Sequence, residues 1–177
     1  LLLFIGIVGI GNAQNVNIPD ANFKAYLVGE PDINTNGDAE IQISEAAAFN
    51  DTMWCRWIDI SDLTGIEAFT ALTVLYCDYN QLTSLDLSQN TALTYLECQN
   101  NQLTSLDVTQ NTALTTLECY NNQFTSFDVT QNSALSRLVC GVFFLEGNPL
   151  TSLDVTQNAA LTQLACAGNL LTSLDVS

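Results

Sequence analysis

The chain has 177 residues, room for one domain or for a repeat array with a small cap. Charged residues make up only 12% of it, yet 19 acidic side chains stand against Lys24, Arg56 and Arg137, a net charge of −16. That balance excludes nucleic acid and anionic membranes, which need a basic footprint, and leaves cations, basic partners or neutral sugars as company. Histidine is absent, which removes the commonest general base and the commonest transition-metal ligand.

Leu1–Gly11 is almost wholly apolar, and Gly11-Asn12-Ala13 precedes Gln14. A short apolar run followed by small residues at the minus-three and minus-one positions reads as the core and cleavage site of a signal peptide. The run is shorter than the ~20 residues a membrane-spanning helix needs; a truncated anchor is the alternative. No initiating Met or charged segment precedes it, so residues 1–13 read as the remnant of an export signal on a fragment. The mature protein is expected to begin near Gln14, secreted or attached to an outer surface, with no membrane insertion after cleavage.

Residues 14–68 read as a helical cap followed by a lead-in segment. Ile18-Pro19-Asp20 and then Ala21–Leu27 predict a helix start and an amphipathic turn or two, with Phe23, Tyr26 and Leu27 on one side. Ser44–Phe49 predicts a second short helix. The stretch between them, Asn34 to Glu45, resembles a 12-residue calcium loop of the EF-hand type. Asn34, Asn36, Asp38, Glu40, Gln42 and Glu45 fall at positions one, three, five, seven, nine and twelve, and Ile41 at eight. Position one is Asn34 instead of Asp, and position six is Ala39 instead of Gly. A frame begun at Asp32 restores Gly37 at six but puts Ile43 at twelve. The two readings are a calcium site built from those six residues and a polar turn that needs no ion; no cofactor is required in either.

From Phe69 the sequence repeats every 21 residues. Asn90–Gln110 is followed by its near copy Asn111–Gln131, and Phe69–Gln89 precedes them. Asn132–Gln157 is a 26-residue copy and Asn158–Ser177 one cut short. Each copy carries the spacing of Leu93, Leu96, Cys98, Asn101 and Leu103. Alternation at Leu96-Glu97-Cys98 marks a strand with one face inward. In-register copies then pair into a parallel sheet over a continuous column of Leu75, Leu96, Leu117, Leu138 and Leu164. Asn80, Asn101, Asn122, Asn148 and Asn169 stack where the chain bends away from the strand. The second half of each copy repeats the spacing, which predicts a shorter strand on the other side at Ser105–Val108 and its equivalents.

The pattern LxxLxCxxNxL is similar to the leucine-rich-repeat family, with cysteine where a third leucine is more usual. Trp57–Phe69 resembles the lead-in of internalin-like repeat proteins. The run Ile18–Leu27, the Asn-Gly-Asp loop and the Leu-Thr-Ser-Leu-Asp-Val coils together resemble secreted leucine-rich-repeat proteins of flavobacteria and their relatives. The resemblance covers nearly all of the mature chain. It implies a right-handed solenoid, mostly β, of about five coils: parallel strands on one face, short extended segments or strands on the other, and a small helical N-terminal cap. It also implies export, commonly with a C-terminal sorting domain, which would lie beyond Ser177, as would a capping coil. The expected division is 1–13, 14–68 and 69–177.

Of the six cysteines, Cys77, Cys98, Cys119, Cys140 and Cys166 take the inward position and Cys55 belongs to the lead-in. Parallel Cβ vectors do not converge as a disulfide requires, so buried free thiols are expected. Asp86, Asp107, Asp128, Asp154 and Asp175 form an outward column of like charge. Hydrogen bonds from neighbouring Ser and Thr, raised pKa values or bound cations would relieve it. In the apolar insertion Gly141–Leu145, Phe143 and Phe144 either fold onto neighbouring coils or make an exposed contact loop.

The outward face of the main sheet carries Tyr76, Asp78, Tyr95, Glu97, Gln99, Glu118 and Tyr120. Three tyrosines among acids and amides suit a basic or hydroxyl-rich ligand, since tyrosine gives rigid contact area with a polar tip. No nucleophile with an adjacent base is present, and an open sheet face offers no cleft to tune a carboxylate. The expectation is a non-catalytic, monomeric binding module for a protein or glycan at a bacterial cell surface. A structural or adhesive spacer, carbohydrate-binding and stiffened by calcium, is the alternative.

Overall fold

The computed structural model describes residues 14–143, 147–174 and 176. The signal remnant 1–13, Phe144, Leu145 and Asp175 therefore lie outside the described residues. The chain opens with helix α1 (Ala21–Gly29), started by Asp20, whose side chain accepts from the N–H groups of Asn22 and Phe23. Phe23 and Leu27, one turn apart, are its buried stripe. Helix α2 (Ile43–Ala48) follows the Asn-Gly-Asp loop.

Six short strands then form one parallel sheet in chain order: β1 (Thr52–Trp54), β2 (Val74–Tyr76), β3 (Tyr95–Glu97), β4 (Thr116–Glu118), β5 (Arg137–Gly141) and β6 (Gln163–Cys166). The register stacks Met53, Leu75, Leu96, Leu117, Leu138 and Leu164. All but Leu164 are fully buried. No single coil could bury that edge alone; stacking makes one continuous core.

Strand β1 arises in the segment read from sequence as lead-in. Thr52 pairs with Val74 and Trp54 with Tyr76, so the repeat begins one coil earlier than the periodicity showed. Ile58 stands in that coil where later coils carry Asn80 and its equivalents, which hid the match.

The asparagine column closes each bend. Asn122 donates to the carbonyls of Cys98 and Cys119, and its Oδ1 accepts the N–H of Leu103 in the preceding coil. Asn80, Asn101 and Asn169 repeat this pattern, and Asn148 bonds Cys119, Cys140 and Phe124 likewise. The bend also needs a left-handed residue, found at Trp57, Tyr79, Asn100, Asn121 and Gly168.

The opposite side is extended but barely paired: among the described residues the expected second strand reduces to isolated bridge positions, Asp107 with Asp128 and a further one at Asp154. The insertion opens by prolonging β5 to Gly141, with a register shift between Val139 and Gly141. Phe143 is 89% exposed and so does not fold onto neighbouring coils.

The thiols are free, as the Cβ argument requires. Burial pushes Cys55 and Cys140 up to about 12 and raises the others, so they pack as small hydrophobes. Cys166 alone of the column is only half-buried.

Candidate functional site

Because strand residues alternate, each coil presents three outward positions on the sheet. The first described coil contributes Thr52, Trp54 and Arg56; the next contribute Val74, Tyr76 and Asp78, then Tyr95, Glu97 and Gln99, then Thr116, Glu118 and Tyr120. Register brings the sequence-predicted residues together and adds two that the sequence reading missed, Trp54 and Arg56. The signal for both was Cys55, which stands as far before Cys77 as Trp54 stands before Tyr76.

These side chains are organised as a ladder. The Trp54 ring stacks on Tyr76 at 4.1 Å and 3°, and Tyr76 leans on Tyr95 at 5.3 Å. The Arg56 guanidinium lies over the Tyr76 ring at 5.4 Å, a cation–π contact. It also reaches Asp78 at 3.0 Å and Glu97 at 3.7 Å. Tyr95 donates its hydroxyl to Glu97, and Gln99 donates to the second Glu97 oxygen. One turn of chain away, Trp57 stacks on Tyr79 at 3.6 Å and 13°.

Exposure corrects the expected contact list. Asp78 is fully buried, Gln99 is 3% exposed and Glu97 9%. They are covered because Arg56 and the tyrosines pack across them, so they form the base of the patch and not its contact surface. Trp54 at 53% and Trp57 at 62% are what solvent meets. Tyr76, Tyr95 and Tyr120 are half-buried.

The electrostatics follow from that packing. Burial pushes the Asp78 carboxyl above its ordinary range; Arg56 pulls it down without cancelling that, and Glu97 pushes it further up. The Tyr95 hydroxyl is raised by burial and by donation to Glu97, so it stays a donor at any physiological pH. Farther along, Arg137 binds Glu118 through two nitrogens at 3.1 and 2.8 Å and reaches Gln163. Glu118 is thereby neutralised and Tyr120 stands next to it without an ion pair.

Five of the six calcium-loop candidates lie between α1 and α2 and the sixth, Glu45, in the first turn of α2, joined by a network of hydrogen bonds. Asn34 donates to the carbonyls of Val28 and Asp38 and accepts from Gly37. Asp38 accepts from Glu40, Asn36 and Gln42. Glu40 turns to Lys24 at 2.8 Å. Glu45 accepts from the N–H and hydroxyl of Thr35 and from the N–H groups of Asn36 and Gln42. Among the described residues no group of three acidic or cysteine side chains is gathered in a way that could hold a metal ion.

The aspartate column is relieved by hydrogen bonding: Asp86, Asp107, Asp128 and Asp154 each accept the N–H of the Ser or Thr two residues on. Those bonds lower the carboxyls of Asp86 and Asp107, the reverse of the raised values that bare repulsion would give. A cavity of about 630 Å³ beside β6 is lined, among the described residues, by Gly141, Phe143, Leu164, Cys166 and Leu171 with others, none of them acidic.

A family model described as leucine-rich repeats in two copies matches residues 91–137. Over 83 residues the chain is 43% identical to internalin J of Listeria monocytogenes serotype 4b (strain F2365), covering 45% of this chain and 9% of that protein. Among solved structures it is similar to the functional domain of internalin J from Listeria monocytogenes, described as including a cysteine ladder. The TM-score is 0.72 at 37% identity, over 93% of this chain and 36% of that one. A Listeria monocytogenes internalin F structure shares the fold, with a TM-score of 0.75 at 19% identity over 88% of this chain and 45% of that one. A leucine-rich-repeat protein of Leptospira interrogans gives 0.53 at 26% identity, over 59% of this chain and 28% of that one. The chain thus spans well under half of the relatives it matches. With the register described above, these likenesses make its fold a leucine-rich-repeat solenoid.

Proposed function

We propose that this leucine-rich-repeat solenoid, similar to the internalins, is a non-catalytic module that binds a protein partner outside a bacterial cell through its sheet face. The observation that carries the reading is the ladder Trp54–Tyr76–Tyr95, stiffened by Arg56 and Glu97. Aromatic and arginine side chains supply most of the energy of protein interfaces, and they do so best when already rigid. Here the acids beneath them lie under Arg56, Tyr95 and Gln99, with one Asp78 oxygen buried and unpaired, so the partner meets mainly aromatic area.

The test is to immobilise residues 14–177 and capture proteins from a surface extract with the parent and with a Tyr76→Ala, Tyr95→Ala, Tyr120→Ala variant. Retained solenoid circular dichroism and loss of capture support the reading. Equal capture by both refutes it.

A glycan is the second reading, favoured by Trp57 and Tyr79. Both hold left-handed backbone, φ 61° and 53°, at a position that later coils give to Asn100, Asn121 and Gly168. Large side chains are strained there. Their stacked rings, with Trp57 mostly exposed, make a flat platform suited to a sugar ring. Under this reading Trp57→Ala abolishes capture of glycosylated partners while the tyrosine variant keeps it.

A further inference from the structure

Beside the ladder, where the cap meets the sheet, is a cavity of about 240 Å³ lined by Tyr26, Glu30, Asp32, Ile33, Phe49, Asp51, Thr52 and Trp54. It lies below the size of sites for drug-sized molecules and suits a single side chain. We infer that this cavity receives a lysine or arginine side chain from the bound partner, an inference that rests on the sheet face being the interface.

Three features of the lining point to a cation. Three of its lining residues, Tyr26, Phe49 and Trp54, are aromatic, the class of side chain that attracts a cation, and Trp54 is half-exposed. The carboxylates of Glu30, Asp32 and Asp51 stand on the rim, all on exposed residues. The C-terminal end of α1, capped at Glu30, and that of α2, capped at Phe49, both open here, and neither helix has a basic residue in its last turn. Helix C-termini carry partial negative charge, which favours a cation.

The chain has no cation of its own to spare for the cavity. Its three basic residues are engaged elsewhere: Lys24 with Glu40, Arg56 with Asp78 and Glu97, and Arg137 with Glu118. A cation for the cavity therefore comes from outside the chain. Trp54 joins the two sites, since the same indole stacks on Tyr76 of the ladder and lines the cavity. A partner laid along the tyrosines reaches the cavity at its N-terminal end. A neutral sugar would satisfy the rings but leave the three carboxylates unmatched.

The probe is N-acetyl-arginine amide, with N-acetyl-citrulline amide as its uncharged isostere. It is titrated into residues 14–177 carrying Trp57→Phe, so that Trp54 is the only fluorophore of its kind. A saturable change in Trp54 emission with the arginine amide is expected, weakened at high salt and absent with citrulline. Glu30→Gln and Asp32→Asn should each weaken it roughly two- to fivefold, the range of partly exposed ion pairs. An equal response to citrulline, or no saturable response to arginine, overturns the inference. The variant lacking Tyr76, Tyr95 and Tyr120 keeps every residue of the cavity lining. Partner capture undiminished in that variant, with the arginine response retained, therefore counts against the face alone; loss of capture in that variant, with no arginine response in the parent, counts against the cavity alone.

Discussion

At the bend of each coil after the first, a single asparagine side chain bonds two carbonyls and one N–H belonging to two coils, which a hydrophobic residue could not do. Asn122 is 7% exposed, and its three bonds to Cys98, Cys119 and Leu103 lie away from water. Removing the amide strands the Leu103 N–H and takes one of two donors from each carbonyl, since Cys98 keeps Asn101 and Cys119 keeps Asn148; a group left unpaired in the interior costs about 1–3 kcal/mol. Asn122→Ala is therefore expected to destabilise the protein by about 2 kcal/mol, read from the midpoint of urea unfolding at unchanged slope. Asn169→Ala, at a half-buried bend, should cost about 1 kcal/mol, since water can replace its partners. Equal and small effects at both would mean that the column follows the fold without supporting it. The aromatic residues at the neighbouring left-handed position are the contrary case: Trp57 and Tyr79 sit where the fold prefers Asn or Gly, and a residue placed against local preference points to use on the surface.

Elements differ in how openly their sequence declares them. The parallel strands of the later coils, the leucine column, the free thiols and both helices of the cap were legible, because each follows from a short spacing: period 2 in a strand, one turn in a helix. Strand β1 was not, since Thr52–Trp54 is fixed by pairing with β2 and its coil lacks the asparagine that marks the others. With it went Trp54 and Arg56, two of the nine residues of the candidate site; the burial of Asp78 also depends on an arginine from the neighbouring coil, which spacing along the chain does not show. The loop from Asn34 to Glu45 is legible as a loop, while its purpose depends on where Glu45 points. Burial pushes that carboxyl up, but the Gln42 N–H, the Thr35 hydroxyl and the Asn36 and Thr35 N–H groups outweigh it and hold it below its ordinary value. A carboxyl lowered in the folded state adds stability above its unfolded pKa of about 4.3, and that contribution disappears as pH falls through the folded value. Glu45→Gln should lower the thermal midpoint at pH 7, and the difference should shrink as pH falls below the unfolded value, so the two melting curves converge on acidification. Asp78, shifted the other way, cancels in this comparison because both proteins carry it. A calcium ion would have to draw Glu45 from four donors, so millimolar calcium is expected to leave the midpoint within about 1 °C. A rise of several degrees, lost in Glu45→Gln, would show that the loop reorganises around the ion.

Across the whole molecule, stability is close to a sum over coils and the contacts between neighbours, but charge does not divide that way. Repulsion among the carboxylates acts over about a Debye length, ~10 Å at 0.1 M salt, which spans more than one coil at the ~4.8 Å strand spacing. Against a net charge of −16 stand four short ion contacts made by three cations. Salt weakens both the attraction and the repulsion. The attractive pairs are close and partly shielded, as at Asp78, whereas the aspartate column lies at the surface and is the more readily screened. The balance therefore favours salt. Raising sodium chloride from about 20 mM to 500 mM at pH 7 is expected to lift the thermal midpoint by roughly 2–4 °C, the equivalent of ~1 kcal/mol for a chain of this length. The opposite sign would place more of the stability in the Arg56 and Arg137 networks than repulsion takes away. Arg56→Ala would then remove the salt dependence, which it should leave nearly intact if long-range repulsion governs.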